Sequence, residues 1–128
     1  DGIPTHLLTK EAIDMYLSRL NDNGIILFHI SNRFYDLRPV IKATAELMGL
    51  HAVANIRVEK KNLKSYEVSP RCVVIAREAQ TLEPFLEKGW VLLKDKRFPK
   101  STAWTDDYIN ILVPLYENIR LKLKNNHY

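Results

Sequence analysis

The chain has 128 residues, of which 46% are hydrophobic, and it carries a formal net charge of +4 at pH 7. This length and composition indicate one globular domain with its own core. Basic residues gather only at 57–64 and 120–124, where no aromatic residues alternate with them, so no nucleic-acid partner is predicted. No apolar stretch reaches the roughly 20 residues that cross a bilayer, and the N-terminus lacks a signal-peptide pattern. We therefore expect a soluble, cytoplasmic segment.

The first part of the chain predicts a helix, a turn and a strand. Thr9 is the expected N-cap of the helix, which ends at the turn Asn21-Asp22-Asn23-Gly24. Four residues form its apolar stripe: Ile13, Tyr16, Leu17 and Leu20. From Ile25 to Ile30 the sequence is apolar apart from His29, which predicts a strand buried on both faces inside a parallel sheet. Ligands bind at the carboxyl ends of such strands, so the polar tract 31–33 marks the expected site.

A second helix and two further strands are predicted next. Asp36 is the expected cap of the helix, which carries Ile41, Ala45 and Met48 at helical spacing and ends before Gly49. Alternating residues predict a strand from His51 to Glu59, and the apolar run within Arg71 to Arg77 predicts a second strand; we expect the two to pair antiparallel at the sheet edge. The only cysteine, Cys72, lies in the second of these strands. It has no partner for an internal disulfide, and we expect it to pack as a small hydrophobic residue.

The remaining third of the chain predicts mostly short elements. A helix from Thr81 to Lys88 ends at Gly89, and an extended piece follows from Trp90 to Leu93. A loop is expected from Asp95 to Ala103. The last predicted helix begins at about Val113, because Pro114 is acceptable only in an opening turn.

The order of these elements predicts an α/β fold. A parallel strand–helix–strand unit that ends in an antiparallel pair, with helices on both faces, is typical of the C-terminal half of a Rossmann-like methyltransferase-type sheet. No glycine-rich phosphate or nucleotide loop occurs in the sequence, although such a fold usually opens with one. Residues 1–128 are therefore predicted to form a single partial domain, truncated on its N-terminal side.

Three separate tracts resemble one protein family. The tracts are Asp1-Gly2-Ile3-Pro4-Thr5-His6-Leu7-Leu8-Thr9, His29-Ile30-Ser31-Asn32-Arg33-Phe34 and Trp104-Thr105-Asp106-Asp107-Tyr108. Together they resemble the C-terminal part of spermidine-synthase-like domains, including those fused to membrane transporter segments. The likeness extends from about residue 1 to residue 112.

The resemblance implies a transferase that uses S-adenosylmethionine or its decarboxylated form and transfers a methyl or aminopropyl group to a small amine. In that family the glycine-rich loop and the acidic residue for the cofactor ribose precede the aspartate-rich segment at which this chain begins. The resemblance therefore implies that the cofactor binds outside these 128 residues, that this piece alone is inactive, and that a transporter segment could lie upstream.

One residue is implied as catalytic. In aminopropyl transfer an amine attacks a carbon next to a sulfonium centre and must lose a proton, which a nearby carboxylate can accept. The resemblance places Asp1 in the active-site segment, as that base or as a neighbour that holds the substrate. The structural alternative is a frayed chain start.

Six residues are expected on the substrate side of the site: His29, Asn32, Arg33, Trp104, Asp106 and Asp107. A histidine on an apolar strand is more typical of a core than of a catalyst. Arg33 is expected to pair with Asp106 or Asp107 and so to tie the tail across the site, or else to be a surface arginine. The two acids can hold a diamine cation as part of a lid, or they can cap the helix that follows them. The four histidines show no metal-ligand spacing, so no metal site is predicted.

An alternative of another class is a noncatalytic assembly module. Such a module would bury its open sheet edge against a partner or as a homodimer. A further alternative, nucleic-acid binding, would use the basic tail residues Arg120, Lys122 and Lys124.

Overall fold

A computed structural model describes residues 5–30, 36–55, 71–94, 101–109, 114, 119–120 and 122–124. The helices are α1 (Lys10–Ser18), α2 (Arg38–Leu47) and α3 (Glu83–Glu87), and 3-10 turns span Thr5–Leu7 and Ala79–Leu82. The strands are β1 (Ile25–His29), β2 (His51–Ala54), β3 (Cys72–Ala76) and β4 (Val91–Leu92). The backbone is also helical at 114, 119–120 and 122–124, within the C-terminal helix predicted from the sequence. Among the described residues, no helix is both long and apolar enough to cross a lipid bilayer.

The helices begin and end at residues whose chemistry requires it. Thr9 is extended, with φ −74° and ψ 158°, and its hydroxyl accepts the amide of Ala12 at 3.2 Å, which confirms the predicted cap of α1. At α2, the Asp36 carboxylate accepts the amide of Arg38 at 3.1 Å. Gly49 has a φ of +66°, a left-handed conformation that glycine adopts without strain, and it ends α2 as predicted.

The four strands form one sheet in the order β1-β3-β2-β4, and every pair is antiparallel. The predicted antiparallel pairing of β2 with β3 is confirmed. Its predicted position is wrong, because β3 lies between β1 and β2, and the edges of the described sheet are β1 and β4. The parallel arrangement expected of a Rossmann-like sheet is absent from the described strands. Although β1 and β2 point the same way and are joined through α2, β3 separates them and occupies the hydrogen-bonding side of both.

The expectation that β1 is buried on both faces is also wrong. Ile26 and Phe28 pack against the core, whereas Ile25 and Leu27 are 39% and 61% exposed. Side chains alternate between the two faces of a strand, so only one face of β1 is covered within the described residues. An apolar tract of this length does not by itself tell one covered face from two.

Hydrophobic clusters lie on both faces of the sheet. On one face α1 and α2 cover β1, β2 and β3 through residues that include Ile13, Ile41 and Ile75. On the other face a smaller cluster lies under the second 3-10 turn and α3: Val53, Val74, Ala76 and Leu82, with Phe85, Trp90 and Leu92 against it. Helices on both faces were predicted. Cys72 is a free, half-buried thiol at the start of β3.

Candidate functional site

The carboxyl ends of β1 and β2 meet the start of β3 at one end of the sheet, which we call the site end. The amide of Ile30 donates to the carbonyl of Arg71 at 2.8 Å. The amide of Cys72 donates to the side-chain oxygen of Asn55 at 2.7 Å, which joins the residue after β2 to the start of β3. The backbone amides of Ile30 and Cys72 therefore both have hydrogen-bond acceptors where these strands end, as buried or half-buried amides require.

Both long helices also begin at the site end. The guanidinium of Arg77, just after β3, donates to the carbonyls of Leu17 and Asn21, so α1 finishes at the opposite end of the sheet. Helix α2 starts shortly after β1 ends. The free amides and positive dipole ends of two helices consequently point towards the site end, which favours negatively charged groups there.

The first of these negative groups is the carboxylate of Asp36, which is only 2% exposed. Arg38 holds both of its oxygens: Nε donates to Oδ1 at 2.9 Å and Nη2 donates to Oδ2 at 2.8 Å. Burial is the largest single influence on the pKa of Asp36 and would raise it. The hydrogen bonds and charge of Arg38 and the charge of Arg71 together outweigh burial, so the pKa lies below its ordinary value of 3.8. Asp36 is therefore a fixed, ionised group at the start of α2.

The second group of carboxylates comes from residues 104–108, which we call the docked segment. The carbonyl of Trp104 accepts the amide of Lys10 at 2.7 Å. The hydroxyl of Thr9 donates to Oδ1 of Asp106 at 2.8 Å, and the amide of Asp106 donates to Oε2 of Glu11 at 3.0 Å. Three hydrogen bonds thus fasten this segment to the first turn of α1.

A further contact connects the C-terminal part of the chain with α2. The carbonyl of Pro114 accepts the amide of Asp36 at 3.3 Å. Because Asp106 binds at the start of α1 and Pro114 binds at the start of α2, the C-terminal part of the chain contacts both helix starts at the site end. These contacts differ from the predicted pairing of Arg33 with Asp106 or Asp107.

The predicted site residues fall into three groups. Asp106 and Asp107 are exposed, and Asp106 lies at the site end. Trp104 is 1% exposed and belongs to the main core cluster, so its side chain lies in the core and not on an open surface. His29 is exposed at the end of β1, where a core histidine was the more typical expectation.

Three predicted residues, Asp1, Asn32 and Arg33, lie outside the described residues, as does the rest of the polar tract after β1. The predicted pairing of Arg33 with Asp106 or Asp107 therefore stays a prediction. The carboxylate of Asp106 binds Thr9, the cap residue of α1, and the helix expected from Ile109 to Leu112 lies largely outside the described residues, so the choice between lid and cap stays a prediction.

Several residues at the site end were not predicted from the sequence as site residues. Glu11 binds an amide 95 positions away, and no local pattern reports such a contact. Arg71 was placed only as the start of a strand, although its charge acts on Asp36. The Asp36–Arg38 ion pair is easier to recognise from the sequence, because a single residue separates its two partners.

No glycine among the described residues lies in a turn from a strand into a helix, the position at which Rossmann-like folds carry a glycine-rich loop. Gly49 and Gly89 have positive φ angles, but they follow α2 and α3, and Gly24 precedes β1. No group of three or more histidine, cysteine, aspartate or glutamate side chains in the described ranges could hold a metal ion.

Comparisons with models of protein families, with curated proteins and with solved structures found no match to this chain.

Proposed function

We propose that this chain is the C-terminal part of a spermidine-synthase-like transferase domain, and that its site end binds the amine substrate. The observation that carries the proposal is the docked segment. The amide of Asp106 donates to the carboxylate of Glu11 across 95 positions, so acidic residues from distant parts of the chain, with Asp107 next in sequence, meet at the start of α1. Carboxylates gathered at the carboxyl ends of strands suit a cationic ligand in an α/β protein.

The chemistry of an amine substrate matches these side chains. Polyamines and their precursors are cations at neutral pH, and an exposed carboxylate attracts a cation at short range even in a partly aqueous setting. Glu11, Asp106 and Asp107 are all exposed, so a ligand can reach them. In this proposal they hold and orient the amine, while Asp1, which the resemblance places in the active-site segment, is the candidate for the general base.

The strand order also supports the proposal. In methyltransferase-type sheets the last strand inserts antiparallel to its neighbours. Here β3 lies antiparallel between β1 and β2, two strands of the same direction joined through α2. We propose that the parallel part of a Rossmann-like sheet, together with the residues for S-adenosylmethionine or its decarboxylated form, belongs to chain upstream of Asp1.

The amine-binding part of the proposal can be tested on this chain by nuclear magnetic resonance. Titration with 1,4-diaminobutane should give saturable shifts in the amides of 9–11 and 104–108, and titration with the uncharged 1,4-butanediol should not. Asp107→Asn should weaken the binding, whereas Glu87→Gln, which removes an exposed acid on α3, should leave it unchanged. Absence of saturable shifts at the docked segment, or equal weakening by both variants, would contradict amine binding here.

The transferase part requires the complete polypeptide. It should be incubated with 1,4-diaminobutane and either S-adenosylmethionine or the decarboxylated form, and the products should be followed by mass spectrometry. An aminopropyl adduct or a methyl adduct would support the proposal and would identify the transferred group. Failure to form either adduct, with the protein folded and both donors intact, would count against a transferase of this family.

A further inference from the structure

We infer that Thr9 is a positioning residue for the amine site: it does not touch the amine, but its hydroxyl sets the direction of the carboxylates of Asp106 and Asp107. This role rests on the proposed function, because it concerns the same site. Three features carry it: the burial of Thr9, the single proton of its hydroxyl, and the turn that contains the two acids.

Thr9 lies behind the site and is rigidly held. Its side chain is 0% exposed, so a ligand that reaches the exposed carboxylate of Asp106 does not reach the threonine. The carbonyl of Thr9 accepts the amide of Ile13 at 3.0 Å, and its hydroxyl accepts the amide of Ala12 at 3.2 Å. The hydroxyl oxygen is therefore a fixed point at the start of α1 from which a neighbouring group can be oriented.

The hydroxyl of Thr9 has one proton to donate, and Asp106 receives it. Two acceptors lie near this hydroxyl, which are Oδ1 of Asp106 at 2.8 Å and the carbonyl of His6 at 3.5 Å. The bond to Asp106 is the stronger one, because it is shorter and ends on a charged oxygen. Glu11 binds the amide of the same aspartate, so both the backbone and the carboxylate of Asp106 are fixed relative to α1.

The turn that contains both acids transmits this orientation to Asp107. The backbones of Thr105 and Tyr108 exchange two hydrogen bonds, of 2.9 and 3.1 Å, and enclose Asp106 and Asp107 between them. None of the described non-glycine residues has a positive φ, which excludes type II and the mirror-image turns and leaves type I among the common types. A turn closed in this way moves as a unit, so fixing Asp106 also fixes Asp107.

Binding of 1,4-diaminobutane to matched variants, followed by nuclear magnetic resonance titration, tests the role of Thr9. Thr9→Val keeps the shape of the side chain without its hydroxyl and should raise the Kd for the diamine at least about fivefold. Thr9→Ser keeps the hydroxyl and should return the Kd to within about twofold of the parent. The matched control is Thr44→Val, because the hydroxyl of Thr44 is equally buried but donates to the carbonyl of Val40 on α2.

The possible results separate the role of Thr9 from the proposed function. Weaker binding in Thr9→Val that is restored in Thr9→Ser and absent in Thr44→Val, with all three variants folded, would support it. Thr9→Ala replaces Thr9→Val if the valine variant does not fold.

Equal Kd values for the parent and the variant without the hydroxyl would overturn the positioning role and leave amine binding standing. Equal weakening in Thr44→Val would also overturn it, because a general loss of stability would then explain both effects. A parent chain that does not bind the diamine would overturn the proposed amine site itself, and the positioning role of Thr9 with it.

Discussion

The hydroxyl of Thr9 donates to Oδ1 of Asp106 at 2.8 Å across 97 positions of sequence, while the same oxygen accepts the amide of Ala12 at 3.2 Å. One buried side chain therefore caps α1 and also holds the docked segment in place. The local role of Thr9 and its long-range role should fail together when the hydroxyl is removed.

Thr9→Ala should lower the free energy of unfolding by about 1–2 kcal/mol, since it removes an N-cap and a hydrogen bond to a carboxylate. Urea denaturation followed by circular dichroism measures the change. Thr9→Ser keeps the hydroxyl and should retain most of the stability. Equal losses in the two variants would show that the methyl group of Thr9, and not its hydroxyl, matters.

Asp106 and Asp107 should differ sharply in their effect on stability. Asp106→Ala removes the acceptor for Thr9, and we expect a loss of about 1 kcal/mol, whereas Asp107→Ala should stay within about 0.5 kcal/mol of the parent. Thermal unfolding monitored at one pH compares the two. The prediction fails if Asp107→Ala is the more damaging change.

Acid should weaken the fold through Asp36. The pKa of Asp36 is below 3.8 in the folded chain, so its ionised form contributes stability above about pH 3.8 and loses that contribution as the pH falls through the folded pKa. Asp36→Asn should be less stable at pH 7 by about 3 kcal/mol or more, because it leaves Arg38 without its ion pair. The unfolding free energy of this variant should also depend less on pH than that of the parent between about pH 5 and pH 2, and urea titrations across that range measure the difference. The same pH dependence in the parent and in Asp36→Asn would show that ionisation of Asp36 does not cause the loss of stability in acid.

The cluster beneath α3 should depend on Leu82, which is fully buried. Leu82→Ala should cost about 2–5 kcal/mol through lost burial and an unfilled cavity. Leu86→Ala makes the same chemical change at a partly exposed position of α3 and should cost much less. Denaturant titrations of the two variants measure the difference in unfolding free energy, provided that the two transitions have the same dependence on denaturant concentration. Similar losses of unfolding free energy would show that the cluster beneath α3 is loosely packed.

Trp104 can be observed directly, since the chain has two tryptophans. Trp90→Phe keeps an aromatic ring against Phe85 and leaves Trp104 as the only indole. Trp104 is 1% exposed, so its fluorescence should resist quenching by acrylamide and should shift to longer wavelength only on unfolding. Strong quenching in the native state would mean that the docked segment is detached in solution.

The parts of the fold that the sequence predicted are those set by local chemistry. Thr9 marks the start of α1 and Gly49 marks the end of α2, as predicted, because N-capping and a left-handed φ depend only on neighbouring atoms. Alternation likewise identified β2, and an apolar run identified β3. The position of β3 between β1 and β2 was not predictable in this way, because strand order depends on contacts between residues far apart in the chain.

The site end was predicted in part for the same reason. Asp106 was singled out from its own motif, but its contacts with Thr9 and Glu11 were not predicted, since these residues are 97 and 95 positions away. Trp104 was expected at the substrate and lies in the core. An aromatic residue beside two acids has the same local pattern in either role, so only the packing of the docked segment separates them.

The distance in sequence between α1 and the docked segment has a consequence for biosynthesis. While the chain emerges from the ribosome, α1 can form its internal turns early, but the bonds from Thr9 and Glu11 to Asp106 await the translation of almost a hundred further residues. Closing so long a loop is slow relative to helix formation. The nascent chain should therefore acquire a helical α1 and a paired β2–β3 first, and the start of α1 should become protected from proteases and solvent exchange only after the docked segment has emerged.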